Sequence, residues 1–145
     1  MSSLNPFAPP KAEVDERTFA AHSAEIASLP VSQSWKNRFR LIEQAGAVKQ
    51  TRFKELSAGE RMQMSFNILA FLFGPIYYAF KGMWKKGIAL FAVCLVAILV
   101  LSVVLDFAGL GRFADGLGYV TAAVFSLRAN IDYYKKWVLG ENGWW

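Results

Sequence analysis

Cysteine and histidine are nearly missing from this chain, with one of each in 145 residues. A single thiol closes no internal disulfide, and neither Cys94 nor His22 is accompanied by the cluster of ligand-type side chains that a metal site needs. Acid is missing locally. Residues 65–105 hold no Asp or Glu and three lysines, while residues 1–64 carry nine bases and seven acids and residues 106–145 four of each. The net charge of +5 is therefore concentrated beside the apolar segments. That distribution suits anionic lipid headgroups; a nucleic acid would need a continuous basic face and is not expected as a partner. A phosphate loop is absent as well. The glycine-rich stretch from Gly109 to Gly118 follows no strand and lacks the Lys-Ser/Thr ending. With no nucleophile paired to a base, neither catalysis nor a cofactor is expected.

Long apolar runs are what the chain does have. Gly87 to Leu105 is 19 residues without a charge, proline or amide side chain. As a helix it measures about 28 Å, close to the hydrocarbon thickness of a bilayer. Phe66 to Phe80 is as apolar but is interrupted at Gly74-Pro75, where proline removes a backbone donor and forces the preceding residue out of helical geometry. Lys81, Lys85 and Lys86 separate the two runs. A third, Leu117 to Leu127, is followed by Arg128, Lys135 and Lys136.

The chain begins with Pro6, Pro9 and Pro10 among small residues, so residues 1–12 read as an extended tail, and the formal PxxP match at Pro6–Pro9 reads as part of it. The start lacks the apolar core of a signal peptide, which keeps the N-terminal region in the cytosol. Residues 13–56 form an amphipathic helical region. One helix is expected over Val14–Leu29, with Phe19, His22, Ile26 and Leu29 on one face, and Pro30 ending it. A second starts near Ser32 or Ser34 and stops at Gly46; a third piece runs from Val48 to Leu56. Acids nearly match bases here, so packing into a small domain is favoured over lying flat on the membrane. Trp35, Phe39 and Phe53 mark its interaction face. His22 reads as an ordinary helix-face residue, since as a ligand or base it has no obvious carboxylate or cysteine partner.

Residues 57–145 are expected to form the membrane domain. Ser57 and Glu60 have capping-box spacing ahead of an apolar helix. Residues 57–84 then form a broken helix, either a kinked crossing or a re-entrant dip. The positive-inside rule decides for the dip, because it leaves every basic cluster, and both chain ends, in the cytosol. Residues 87–105 and 117–138 make a transmembrane hairpin. Gly118, Ala122 and Ser126 supply a small-residue stripe on one helix, and Ala89, Val93 and Ala97 a narrow face on the other. Asn67 and Asn130 need partners in an apolar setting. Tyr77, Tyr78, Trp84 and Tyr133 suit the headgroup boundary.

The wording SFNILAFLFGPIYYAFKGMWKKGIAL, followed by RANIDYYKKWVLGENGW, resembles a family of small bacterial inner-membrane proteins known only as a domain of unknown function. The resemblance runs over roughly residues 57–145. It is carried by Phe66, Asn67, Phe73-Gly74-Pro75, Tyr77-Tyr78, Lys81, Met83-Trp84-Lys85-Lys86-Gly87, Asn130 and Tyr133. It implies an integral protein of the bacterial inner membrane and no particular activity. The fold expectation is all-α: a cytosolic helical region, a Gly-Pro-broken helix and a helical hairpin. The functional expectation is a membrane-anchored protein that contacts lipid and binds another envelope or cytosolic protein, or a second copy of itself. Two alternatives are an immunity-type protein that neutralises a membrane-acting toxin, and a subunit of an oligomeric transporter or channel lined by Asn67 and Asn130.

Overall fold

The computed structural model describes residues 11–145, with side chains from Phe19 onward. Most of the expected tail, including the PxxP match, lies outside the described residues. The fold is all-helical, with no strand among the described residues. In chain order the α-helices are α1 (Lys11–Ser28), α2 (Gln33–Gln44), α3 (Ala58–Ser65), α4 (Ile68–Phe73), α5 (Pro75–Phe80), α6 (Trp84–Phe107) and α7 (Leu117–Trp137).

The piece expected as a helix over Val48–Leu56 differs. It contains two single 3-10 turns, Ala47–Lys49 and Phe53–Glu55, because the backbone goes left-handed at Gly46 (φ 96°), Ala47 (φ 55°) and Gln50 (φ 50°). A continuous helix cannot pass through such residues. The next start is the one the spacing predicts. Ser57 Oγ accepts from the Glu60 amide, and the Glu60 carboxylate accepts from the Ser57 amide at 2.8 Å and from its hydroxyl at 2.7 Å. Those bonds hold the Glu60 carboxyl below its ordinary pKa.

At Gly74 the chain reverses. Asn67 lies against Ser126 and Asn130 of α7, Gly74 against Phe125, and Tyr78 reaches forward again to Asp132. Lys81 then sits over Tyr133. The arms α4 and α5 thus leave from, and return to, the same end of the molecule. Gly74 makes the turn with φ 48° and ψ −121°, and Pro75 opens α5 at a position where a missing N–H costs nothing.

One hydrophobic cluster joins everything at that end: Ile26 from α1, Phe39 and Ile42 from α2, Met64 from α3, Tyr78 from α5, and Phe125, Ala129 and Tyr134 from α7, all fully buried. Residues 13–56 therefore share their core with the second half of α7. This corrects the expected interaction face. Phe39 is fully buried, Trp35 packs at 4.4 Å from the Tyr133 ring, and Phe53 is half-buried under Arg61, because α2 spends its aromatic side on α7. The other end of the molecule has no comparable core. α6, about 36 Å long, buries only Lys86, Gly87, Leu90 and Cys94, and its most apolar stretch is 11% buried.

Candidate functional site

Three buried polar groups are strung along α7, each closed by a side chain from a distant part of the chain. The first is the Asn67–Asn130 clasp. Asn67 Nδ2 donates to Asn130 Oδ1 at 2.8 Å and to the Tyr77 hydroxyl at 2.9 Å, while its Oδ1 caps α4 by accepting from the Ala70 amide. Asn130 Nδ2 donates to the Met64 carbonyl at 2.8 Å, and Ser126 Oγ bridges the Asn67 backbone, accepting from its N–H and donating to its C=O at 3.0 Å each. Every side-chain group of Asn67 is spent inside the fold.

In the second, Tyr78 donates to Asp132 at 2.9 Å, and Arg128 approaches the same carboxylate at 3.5 Å. Lys86, 3% exposed, stands beside them and donates to the Glu141 carbonyl at 2.8 Å. In the third, Tyr134 donates to Glu43, whose Oε1 also meets His22 Nδ1 at 3.1 Å. His22 thus finds its carboxylate partner on α2, 21 residues on.

Lys81 closes the inner side of the α5 arm. Its ammonium lies 4.9 Å from the ring centre of Tyr133, 5.1 Å from Trp35 and 5.8 Å from Tyr77, a three-sided aromatic box. Burial, and then the like charges of Arg38 and Lys136, lower its pKa. Trp84 is half exposed and meets Trp144 edge-on at 5.9 Å, with Lys85 over its own ring. On the proposed packing stripe, Ser126 is fully buried, Ala122 is half-buried, and Gly118 is exposed with open space around it. On α6 the contact line runs through Leu90 and Cys94, with Ala89 half-buried and Val93 and Ala97 exposed.

A recess of about 490 Å³ opens beside the third polar group, lined by Phe19, His22, Glu43, Gly46, Ala47, Thr51 and Arg52. Its floor is the Glu43 carboxylate, its rim the left-handed turn. Adding a Cβ at Gly46 would bring it to 2.9 Å from the Thr51 amide, so the turn closes only on glycine. Nothing in the sequence pattern marks this recess, since its walls come from α1, α2 and the turn. Among the described residues no three His, Cys, Asp or Glu side chains converge as a metal site.

The class defined so far is an all-helical protein whose compact end is locked by buried polar pairs and whose other end leaves a long apolar helix uncovered. The chain belongs to the family described as "Protein of unknown function (DUF2628)", which matches residues 13–138. The match takes in the N-terminal helices, beyond the expected start near residue 57. Curated relatives include "Uncharacterized protein YigF" of Salmonella typhimurium, 32% identical over 123 residues, covering 79% of this chain and 90% of that protein. The protein of the same description in Escherichia coli K12 is 30% identical over 122 residues, with the same coverage. No solved structure matches the chain.

Proposed function

We propose that this chain is a membrane-anchored binding protein of the bacterial inner membrane. α6 and the first half of α7 cross the bilayer, α4 and α5 dip in from the cytosolic side, and the helical head docks a segment of another protein in the recess above Glu43.

The observation that carries this reading is where the exposed large apolar side chains lie. Among the described residues nearly all fall between Ile68 and Leu127; outside that range stand Val48, Met62, Leu139, Trp144 and Trp145. Leu72, Ile76, Val96, Leu99 and Val100 are each about 60% exposed. A soluble monomer rarely leaves so much contiguous apolar surface in water. Where the apolar surface ends, Lys86 and Arg128 share a cleft with Trp144 and Trp145, and Trp84 packs against Trp144, residue types expected at a cytosolic headgroup boundary. The recess suits a partner because it is open beside the left-handed turn at Ala47 and Gln50, a backbone conformation that is costly for residues with a side chain. Arg52, His22 and Glu43 offer both signs of charge to a polar segment.

Two measurements test it. With Cys94 replaced by alanine and Ser3 by cysteine, an impermeant thiol reagent should leave intact cells unlabelled; labelling would reject the cytosolic N-terminus. A photo-crosslinker at Thr51 should give a discrete protein adduct in cells, and one at Val96 mainly lipid. Adducts to a second copy would identify the partner as the chain itself. Recovery of no protein from Thr51 would reject the docking role.

A further inference from the structure

We infer that the shallow cleft between the start of α6 and the middle of α7 binds the phosphate headgroup of an anionic phospholipid. The inference rests on the membrane reading above and assigns a ligand to a place that reading leaves unspecified.

The cleft is lined by Lys86, Leu90, Arg128, Asp132, Trp144 and Trp145. Lys86 is the unusual member. An ammonium has three N–H donors, and this one, 97% buried, spends one on the Glu141 carbonyl. Among the described residues no carboxylate lies within ion-pairing distance of it. Burying a charge with so little compensation is costly unless something else completes its shell. Arg128, 43% exposed, keeps only a long contact to Asp132 at 3.5 Å, and Tyr78 already occupies the other Asp132 oxygen. Lys135 lies close enough for its charge to act on Lys86, and Glu141 reaches Lys135 at 4.0 Å. Three bases, Lys86, Arg128 and Lys135, thus face the two acids Asp132 and Glu141, an excess suited to an anion.

The shape selects among anions. The cleft cannot enclose even a water molecule, so an occupant lies across its mouth. A headgroup arriving from the bilayer does that, with Trp144 against Trp84 at its side. Its acyl chains would continue over Leu90, then Val93 (48% exposed) and Leu127 (53% exposed). Basic pockets at the cytosolic ends of membrane helices hold anionic lipids in this way.

The test is native mass spectrometry of the full chain, released from detergent micelles containing equal phosphatidylglycerol and phosphatidylcholine. The wild type should retain phosphatidylglycerol preferentially. Arg128→Gln, at an exposed position that leaves the core intact, should lower that preference about five-fold. Arg128→Lys should restore most of it, and Lys54→Gln, on the head, should leave it unchanged. Equal retention of the two lipids by the wild type, or full competition by inorganic phosphate, would overturn the site while leaving the anchor intact. A chain that stays soluble without detergent would overturn both.

Discussion

Asn67 and Asn130 hold each other side chain to side chain at 2.8 Å across 63 residues of sequence, and together they satisfy the backbone where α3 gives way to α4. Asn130 accepts from Asn67 and donates to the Met64 carbonyl, so its removal strands a buried donor and a buried acceptor at once. Replacing Asn130 by alanine should cost about 1–3 kcal/mol. Asn67→Ala should cost a similar amount, and the double variant less than the two together, because each single change already breaks the shared bond. Denaturant unfolding in detergent, read as a double-mutant cycle, checks this; strict additivity would mean that the clasp contributes nothing of its own.

The reversal at Gly74 depends on two glycines for different reasons. Gly74 adopts φ 48° and ψ −121°, outside the left-handed helical region and open mainly to glycine, where a side chain costs roughly 1–3 kcal/mol. Gly87 is helical, but a Cβ there would come within 2.8 Å of the Tyr78 Cβ and 3.5 Å of the Pro75 carbonyl, so α6 could no longer close on α5. Gly87→Ala should therefore destabilise by about 1–3 kcal/mol through overpacking. It should also loosen the Tyr78–Asp132 bond, since Tyr78 is the group that must move. Faster hydrogen exchange confined to α5 and the adjacent turn of α6 is the expected signature, and unchanged exchange there would contradict the close approach.

The capping box gives α3 a pH dependence of definite sign. Glu60 is depressed by its bonds to the Ser57 hydroxyl and amide, so in the folded state it binds its proton only at lower pH than in the unfolded chain. Its stabilisation is present above the unfolded carboxyl pKa and is lost as pH falls through the folded value. The Ser57 and Glu60 amides should lose exchange protection on acidification. In Glu60→Gln the box persists without the titration, so the ratio of the two proteins' protection should vary with pH. A flat ratio would rule out the carboxylate's part in the cap.

The parts of this structure that were legible in sequence are those decided within a few residues. Proline chemistry breaks the helix at Gly74-Pro75, Ser57 and Glu60 set the start of α3, and the uncharged run from Gly87 falls inside α6. Contacts closed over long separations were hidden. Tyr134 meets Glu43 across 91 residues, so neither the burial of Glu43 nor the pairing of His22 has a local signal. The same reason turned the aromatic side of α2 from an apparent docking face into core: Trp35 and Phe39 show the right periodicity, but only α7 reveals what they pack against. The turn from Gly46 to Gln50 was illegible for another reason, because Ala47 and Gln50 adopt left-handed backbone that their side chains do not announce.

A single lysine separates a bilayer-facing α6 from one that merely stands in water. Val96 is 60% exposed near the middle of the helix. On a water-exposed face, Val96→Lys would touch nothing and should change stability by no more than about 0.5 kcal/mol. At the centre of a membrane helix the same change costs about 2.5–3.5 kcal/mol at insertion, enough to reduce membrane integration severely. Val48→Lys, at the less exposed residue of the head, should be nearly silent if the head is in the cytosol. Quantifying the carbonate-resistant membrane fraction of the two variants gives the answer directly. Loss for Val96→Lys alone is the expected outcome, and equal recovery of both proteins would mean that the apolar face of α6 meets something other than lipid.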